Sequence, residues 1–197
     1  MTYNMYKDVK KEGDIMNNYE KIKSLLEKNN IHRQYLKILE ERGEVIRVIK
    51  GLYVAPDKDI NEFFIMGERY KTGIFSHNTA LYFYHLTDRT PMSLDMTFPS
   101  NVRVNNDFLE PHYIKSELHS LGETTLKLED GTNIKIYDLE RTICDIIRDR
   151  NKIDPQIFNT AMKEYFKSNK RNLNLLYKYA KKLKIDKILK KYMEVLD

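Results

Sequence analysis

Arg33, Gln34 and Lys37 fall within one quadrant of a helix drawn at about 100° per residue, opposite a face of Tyr35, Leu36 and Leu39. Their chemistry is that of base readout. A guanidinium fork can grip O6 and N7 of guanine, an amide can pair with N6 and N7 of adenine, and an ammonium seeks phosphate. His32, near the N-terminus of the same helix, can approach a phosphate. Further on, Arg47 and Lys50 belong to a short hairpin, where a wing would reach the minor groove or the backbone. A solvated helix face beside a solvated turn has the same residue types. What favours readout is that the hairpin follows the helix immediately.

Other constellations point to less. His77 and His85 are eight residues apart, about 80° out of register on a helix, and His112 and His119 flank a predicted strand end. With no His-Glu-x-x-His or Cys-x-x-Cys pattern, no metal ligand and no cofactor are expected. Neither a P-loop nor a Gly-x-Gly-x-x-Gly is present, and no catalytic residue is assigned. Asp95, Glu110 and Lys115 are the nearest candidates for a nuclease of the paired-carboxylate and lysine kind, at unconvincing spacing. Asp138, Glu140, Arg141 and Asp145 form the densest charged group; Arg141 and Asp145, four apart, are expected to pair and pin their helix to the preceding hairpin. After Pro155, eleven Lys and Arg stand against four Asp and Glu. Lys163, Lys167, Lys170, Arg171, Lys178, Lys181 and Lys182 are thus either a solvated face or a second face for nucleic acid or a partner.

The elements that would position these residues follow from periodicity. A helix from Tyr19, with Ile22, Leu25 and Leu26 on one side, ends at Asn29 and Asn30, and a second runs over 32–42 to a stop at Gly43. Strands at 45–48 and 52–54 turn through Ile49, Lys50 and Gly51. This is the layout of a winged helix-turn-helix over 16–56. Residues 57–72 read as a link with a short helix near 60–66. The domain at 73–197 opens with a strand at Ile74 and Phe75, Ser76 as an N-cap and a helix over 78–85. Strands follow at 93–98, 102–104 and 110–116, with a hairpin of 124–128 and 133–137. Helices at 139–150, 155–167 and 173–196, the last broken near Ile185 and Asp186, complete it. Strands and then helices mean α+β: an N-terminal winged helix-turn-helix, then a mixed domain with a helical C-terminal part.

Composition bounds the whole. In 197 residues, 41% hydrophobic and 32% charged, no apolar run approaches the ~18 residues of a membrane span, so a cytoplasmic protein without a membrane partner is expected. The single Cys144 excludes an internal disulfide and reads as a small core residue. A net charge of +5 suits a nucleic-acid partner without establishing one. Few Gly and Pro with many Lys, Ile and Asn suggest a coding sequence rich in A and T, as in many bacteria. Residues 1–15 lack a helical stripe, and the codons before Met16 could form a ribosome-binding site, so they read as an extension and Met16 as an alternative start.

The run HRQYLKILEERGEVIRVIKGLYVAP resembles the winged-helix end of the bacterial abortive-infection AbiEi family, antitoxins of type IV toxin–antitoxin pairs. SHNTALYFYHLTDRTP is similar to that family's Ser-x-x-x-Ala-Leu helix and its leucine-and-aspartate turn, and GTNIKIYDLERTICD to its strand leading into an Asp-x-Glu-Arg-Thr-x-x-Asp helix. The likeness extends from Met16 to the C-terminus. One departure is the entry to the recognition helix, where Asn29 and Asn30 lead almost directly into Ile31 without the family's intervening short helix. Either the Tyr19 helix takes that role and the extension supplies the first helix, or the unit is abbreviated. The resemblance implies a repressor that binds inverted repeats in its own promoter through the N-terminal domain. It also implies that the C-terminal domain counteracts a nucleotidyltransferase toxin, without requiring a stable complex. A stand-alone winged-helix regulator is the alternative.

Overall fold

A computed structural model describes residues 33–43, 45–49, 52–54 and 61–196. The expected Tyr19 helix, His32, Lys50, Gly51 and the 1–15 extension lie outside the described residues. The chain divides into two compact units: Tyr70–Leu126 with Ile134–Asp197 form one, and the remainder, up to Arg69 and with Lys127–Asn133, forms the other.

In the first unit, α1 (Arg33–Glu41) stops at Gly43, whose φ of +69° is the left-handed conformation that glycine reaches without penalty. The Gly43 N–H donates to Glu40 O at 3.0 Å. An antiparallel hairpin follows, β1 (Ile46–Ile49) and β2 (Leu52–Val54), with Arg47 opposite Tyr53 and an irregular register between Arg47 and Ile49. Leu39 and Val45 are buried. Next comes α2 (Glu62–Arg69), capped by Asn61, whose side chain accepts the N–H of Phe63 and of Phe64. That helix ends three residues beyond the expected 60–66 segment.

The second unit is built on a mixed five-stranded sheet in the order β5-β4-β3-β7-β6, comprising β3 (Ile74–Phe75), β4 (Leu94–Pro99), β5 (Leu109–Ile114), β6 (Glu123–Lys127) and β7 (Asn133–Tyr137). β3 is antiparallel to β4 and parallel to β7, and β4 is parallel to β5. Of the three inner strands, β3 and β4 are almost wholly buried and β7 alternates exposed and buried residues before its buried end. The outer β5 carries Pro111, which can donate nothing to a neighbour, and the outer β6 is mostly exposed. The strand expected at 102–104 is absent. There the chain loops: the Val102 N–H donates to Pro99 O, the Val104 N–H to the Tyr113 hydroxyl, and the Arg103 guanidinium to Ser100 O, so these partners lie outside any ladder.

Helices α3 (His77–Phe83), α4 (Ser116–His119), α5 (Leu139–Arg148), α6 (Pro155–Lys167), α7 (Leu173–Lys182) and α8 (Asp186–Leu196) make up the rest. α5 is the central one, with every residue from Glu140 to Ile147 buried, and Ile143, Ile146, Ile147, Phe158, Tyr165 and Leu176 share one apolar cluster. The break expected near Ile185 is present. Lys184 takes φ +59° and the Ile185 N–H reaches back to Ala180 O at 2.9 Å, which turns the chain sharply between α7 and α8. No helix among the described residues is long and apolar enough to cross a membrane.

Candidate functional site

On α1 the backbone carries Arg33, Gln34 and Lys37 in the predicted order. Lys37 is exposed, as is Glu41 one turn on, and their charged ends are 3.8 Å apart. An exposed pair at that distance holds its lysine weakly, leaving the ammonium available to a phosphate. Arg47 on β1 is exposed as well. Ile38 and Ile46 are 39% and 45% exposed beside these cations.

The second unit holds a different kind of arrangement. β3 delivers Ser76 and His77 to the start of α3, and His77 adopts φ +45°, a left-handed backbone costing about 1–2 kcal/mol for a residue with a Cβ. The turn places its ring in the interior, with none of the residue exposed. Nδ1 lies 3.0 Å from Ser76 Oγ and Nε2 lies 3.1 Å from Asp149 Oδ2. Because Thr97 donates its hydroxyl to Ser76 Oγ at 2.8 Å, Ser76 is free to donate to Nδ1. An ionised Asp149 can only accept, so Nε2 carries the proton. Burial pushes the His77 pKa down, against the opposing hydrogen bond to Asp149, which fits this neutral ring. Burial alone would raise Asp149, but its hydrogen bond with His77 and the Arg148 guanidinium hold it well below the usual carboxylate range.

Stacked on His77 at 3.5 Å, with the ring planes 13° apart, is His112 of β5. The β4–β5 register pairs His112 with Thr97. Its Nε2 meets the buried Asp95 carboxylate at 2.7 Å. His77, Asp95 and His112 each bring a ligand atom within 4.8 Å of the others. By distance Ser76, His77 and Asp149 also resemble a nucleophilic triad, but Ser76 is wholly buried and its oxygen already accepts from Thr97, so no acyl group reaches it. A cavity of about 670 Å³, lined by His85, Arg89, Gln156, Thr160 and Glu164 among others, shares no lining residue with this cluster.

No protein-family model matches the chain, and no curated protein does.

Arg141 and Asp145 form the expected ion pair, at 3.0 Å, with both side chains wholly buried. The guanidinium also donates to Leu118 O and Leu121 O and lies 4.0 Å from the centre of the Tyr137 ring, tying α5 to the chain preceding β6. Arg148 Nη1 lies 3.1 Å from Asp145 Oδ1, in ion-pair contact without hydrogen-bond alignment. Asp138 caps α5, accepting the Arg141 N–H, and also accepts the Tyr179 hydroxyl at 2.8 Å. Of the nuclease candidates, Asp95 and Glu110 are partners in the β4–β5 register. They are not a working pair: Asp95 is buried against His112, whereas Glu110 and Lys115 are exposed.

Lys163 and Lys167 on α6, Lys170 and Arg171 after it, and Lys178, Lys181 and Lys182 on α7 are all exposed. Lys181 lies over the Tyr177 ring at 4.8 Å. The sequence reading missed the joining of His77 to His112. Spacing along single elements does not show this contact, which arises because β3 pairs with β4 and β4 with β5. His85 stands apart because it is the left-handed residue that closes α3, at φ +56° with Leu86 N–H on Leu81 O.

Proposed function

We propose that this protein is a winged-helix repressor of its own promoter and the antitoxin of a nucleotidyltransferase toxin, as the AbiEi resemblance implies. The observation that carries the DNA-binding part is the order of the first unit: a helix with exposed Lys37, then at once an antiparallel hairpin with exposed Arg47. A helix of this length fits the major groove, and a hairpin beside it can touch the flanking backbone. In this reading Arg33, Gln34 and Lys37 face base edges, while His32, Arg47 and Lys50 hold phosphates. Promoter inverted repeats are the double-stranded partner. The exposed lysines of α6 and α7 are a second face for nucleic acid or for a partner.

The α+β unit is assigned the antitoxin role by resemblance, and no catalytic role is assigned to it. Its buried polar groups support a scaffold rather than a reaction centre, since Ser76, Asp95, Arg141 and Asp145 are each almost or wholly inaccessible. Footprinting on the promoter upstream of the chain's own gene is the test. Protection of an inverted repeat supports the reading; uniform cleavage at saturating protein refutes it.

A further inference from the structure

We propose that His77, Asp95 and His112 bind a divalent transition-metal ion of the zinc class, with Asp149 holding His77 in the ligating tautomer. The three ligand atoms already lie within 4.8 Å of one another. Two imidazoles and one carboxylate suit zinc or cobalt(II), whereas calcium and magnesium call for all-oxygen sites. The outer shell is in place too. A ligating histidine ordinarily donates its other ring N–H to a carboxylate, and His77 Nε2 does so to Asp149, itself held by Arg148 at 3.1 Å. Nδ1 is then the donor to the ion, its lone pair otherwise taken by the Ser76 hydroxyl.

The stacked rings show how the ion would enter. With planes 13° apart at 3.5 Å, the two imidazole lone pairs do not converge on one point at the ~2.0–2.1 Å of a zinc–nitrogen bond. One ring must turn. His77 cannot, being 1% exposed and bonded at both nitrogens. The His112 side chain is 17% exposed, and one ring hydrogen bond, to Asp95, holds it. His112 therefore swings and its hydrogen bond to Asp95 breaks. As the neutral ring gives up its Nε2 proton to solvent it takes one up at Nδ1, so that Nε2 and Asp95 Oδ1 each present a lone pair to the ion. This inference does not rest on the DNA-binding reading, because every group it uses lies in the second unit.

The test is a cobalt(II) titration of the chelator-treated full chain, followed by zinc. We expect d–d absorption bands of a low-coordinate nitrogen–oxygen site that saturate at one ion per chain and bleach when zinc is added. His112→Gln, which keeps a donor for Asp95, should weaken binding about tenfold or more, while His85→Gln should leave it unchanged. A thermal melt without metal checks that each variant folds. If His112→Gln does not fold, imidazole nitrogen NMR of the unmutated chain decides. The rings of His77 and His112 should shift on zinc addition and those of the other histidines should not. Absent bands, undiminished binding in His112→Gln, or shifts confined to other histidines would mean that the cluster is a hydrogen-bonded polar core only.

Discussion

Arg141 is wholly buried and gathers several of the polar contacts around α5. Its guanidinium pairs with a carboxylate that no water reaches, closes two backbone carbonyls and covers the Tyr137 ring. Arg141→Met would keep much of the volume but leave Asp145 with Arg148 alone. Breaking a buried pair from one side costs about 3–5 kcal/mol, so the urea midpoint should fall steeply. An unchanged midpoint would mean that Arg148 suffices. Asp138 presents the opposite case. Burial raises its pKa, against the Arg141 N–H, the Tyr179 hydroxyl and the Arg141 charge, which favour the carboxylate. A carboxyl whose folded pKa is raised binds its proton more tightly folded than unfolded, so its ionisation costs stability as pH rises above the usual 3.8. Asn caps helices as well as Asp does. Asp138→Asn should therefore be at least as stable as the unmutated protein at neutral pH, with the advantage shrinking on acidification. Denaturant melts at several pH values measure this, and an advantage that grows towards acid would contradict it.

Among the elements, the approach to β6 is held by a glycine with no substitute. Gly122 has φ +78°, its carbonyl accepts the Asp138 N–H at 2.7 Å, and a Cβ there would lie 2.5 Å from the Arg141 Cβ. Gly122→Ala combines left-handed strain with overpacking, together about 2–5 kcal/mol. At roughly 2–4 °C per kcal/mol for a chain of this size, calorimetry should show a fall in Tm of several degrees or more; a fall under one degree would mean that α5 yields to the methyl group. Much at this scale was legible in the sequence. Pro155 opens α6 and the break falls before Asp186, both as expected from the sequence. The caps Asp138, Asp154 and Asn172 are of the residue types that favour helix starts, although they are not among the caps expected from the sequence. Ser76 precedes α3 as expected, yet its hydroxyl caps nothing, because Thr97 and His77 engage it. That exchange, like the His77–His112 stack and the loop at 102–104, depends on which strands become neighbours. Strand order is a property of long-range packing, to which windows of a few residues are blind. The left-handed turn at His85 escaped for a local reason: the position carries no Gly or Asn, the residues that mark such a turn in a sequence.

For the molecule as a whole, the two proposed activities reside in separate compact units and should come apart. Arg33→Ala with Lys50→Ala removes the guanidinium proposed to read a base and the ammonium proposed to hold the backbone. Expressed from a promoter it does not control, this variant should fail to repress its own operon yet still rescue cells that produce the toxin. Loss of rescue at matched protein level would tie neutralisation to nucleic-acid binding. The central claim is readout by α1 and the hairpin, and the direct measurement is affinity for the chain's own promoter and for a scrambled duplex across a salt series. The unmutated protein should prefer the promoter. Arg33→Ala should lose about 1–3 kcal/mol on the promoter alone, relaxing preference at one position. Arg47→Ala should weaken both duplexes alike and reduce the salt slope by roughly 0.9. Equal affinity for promoter and scrambled DNA, untouched by either substitution, would contradict the account.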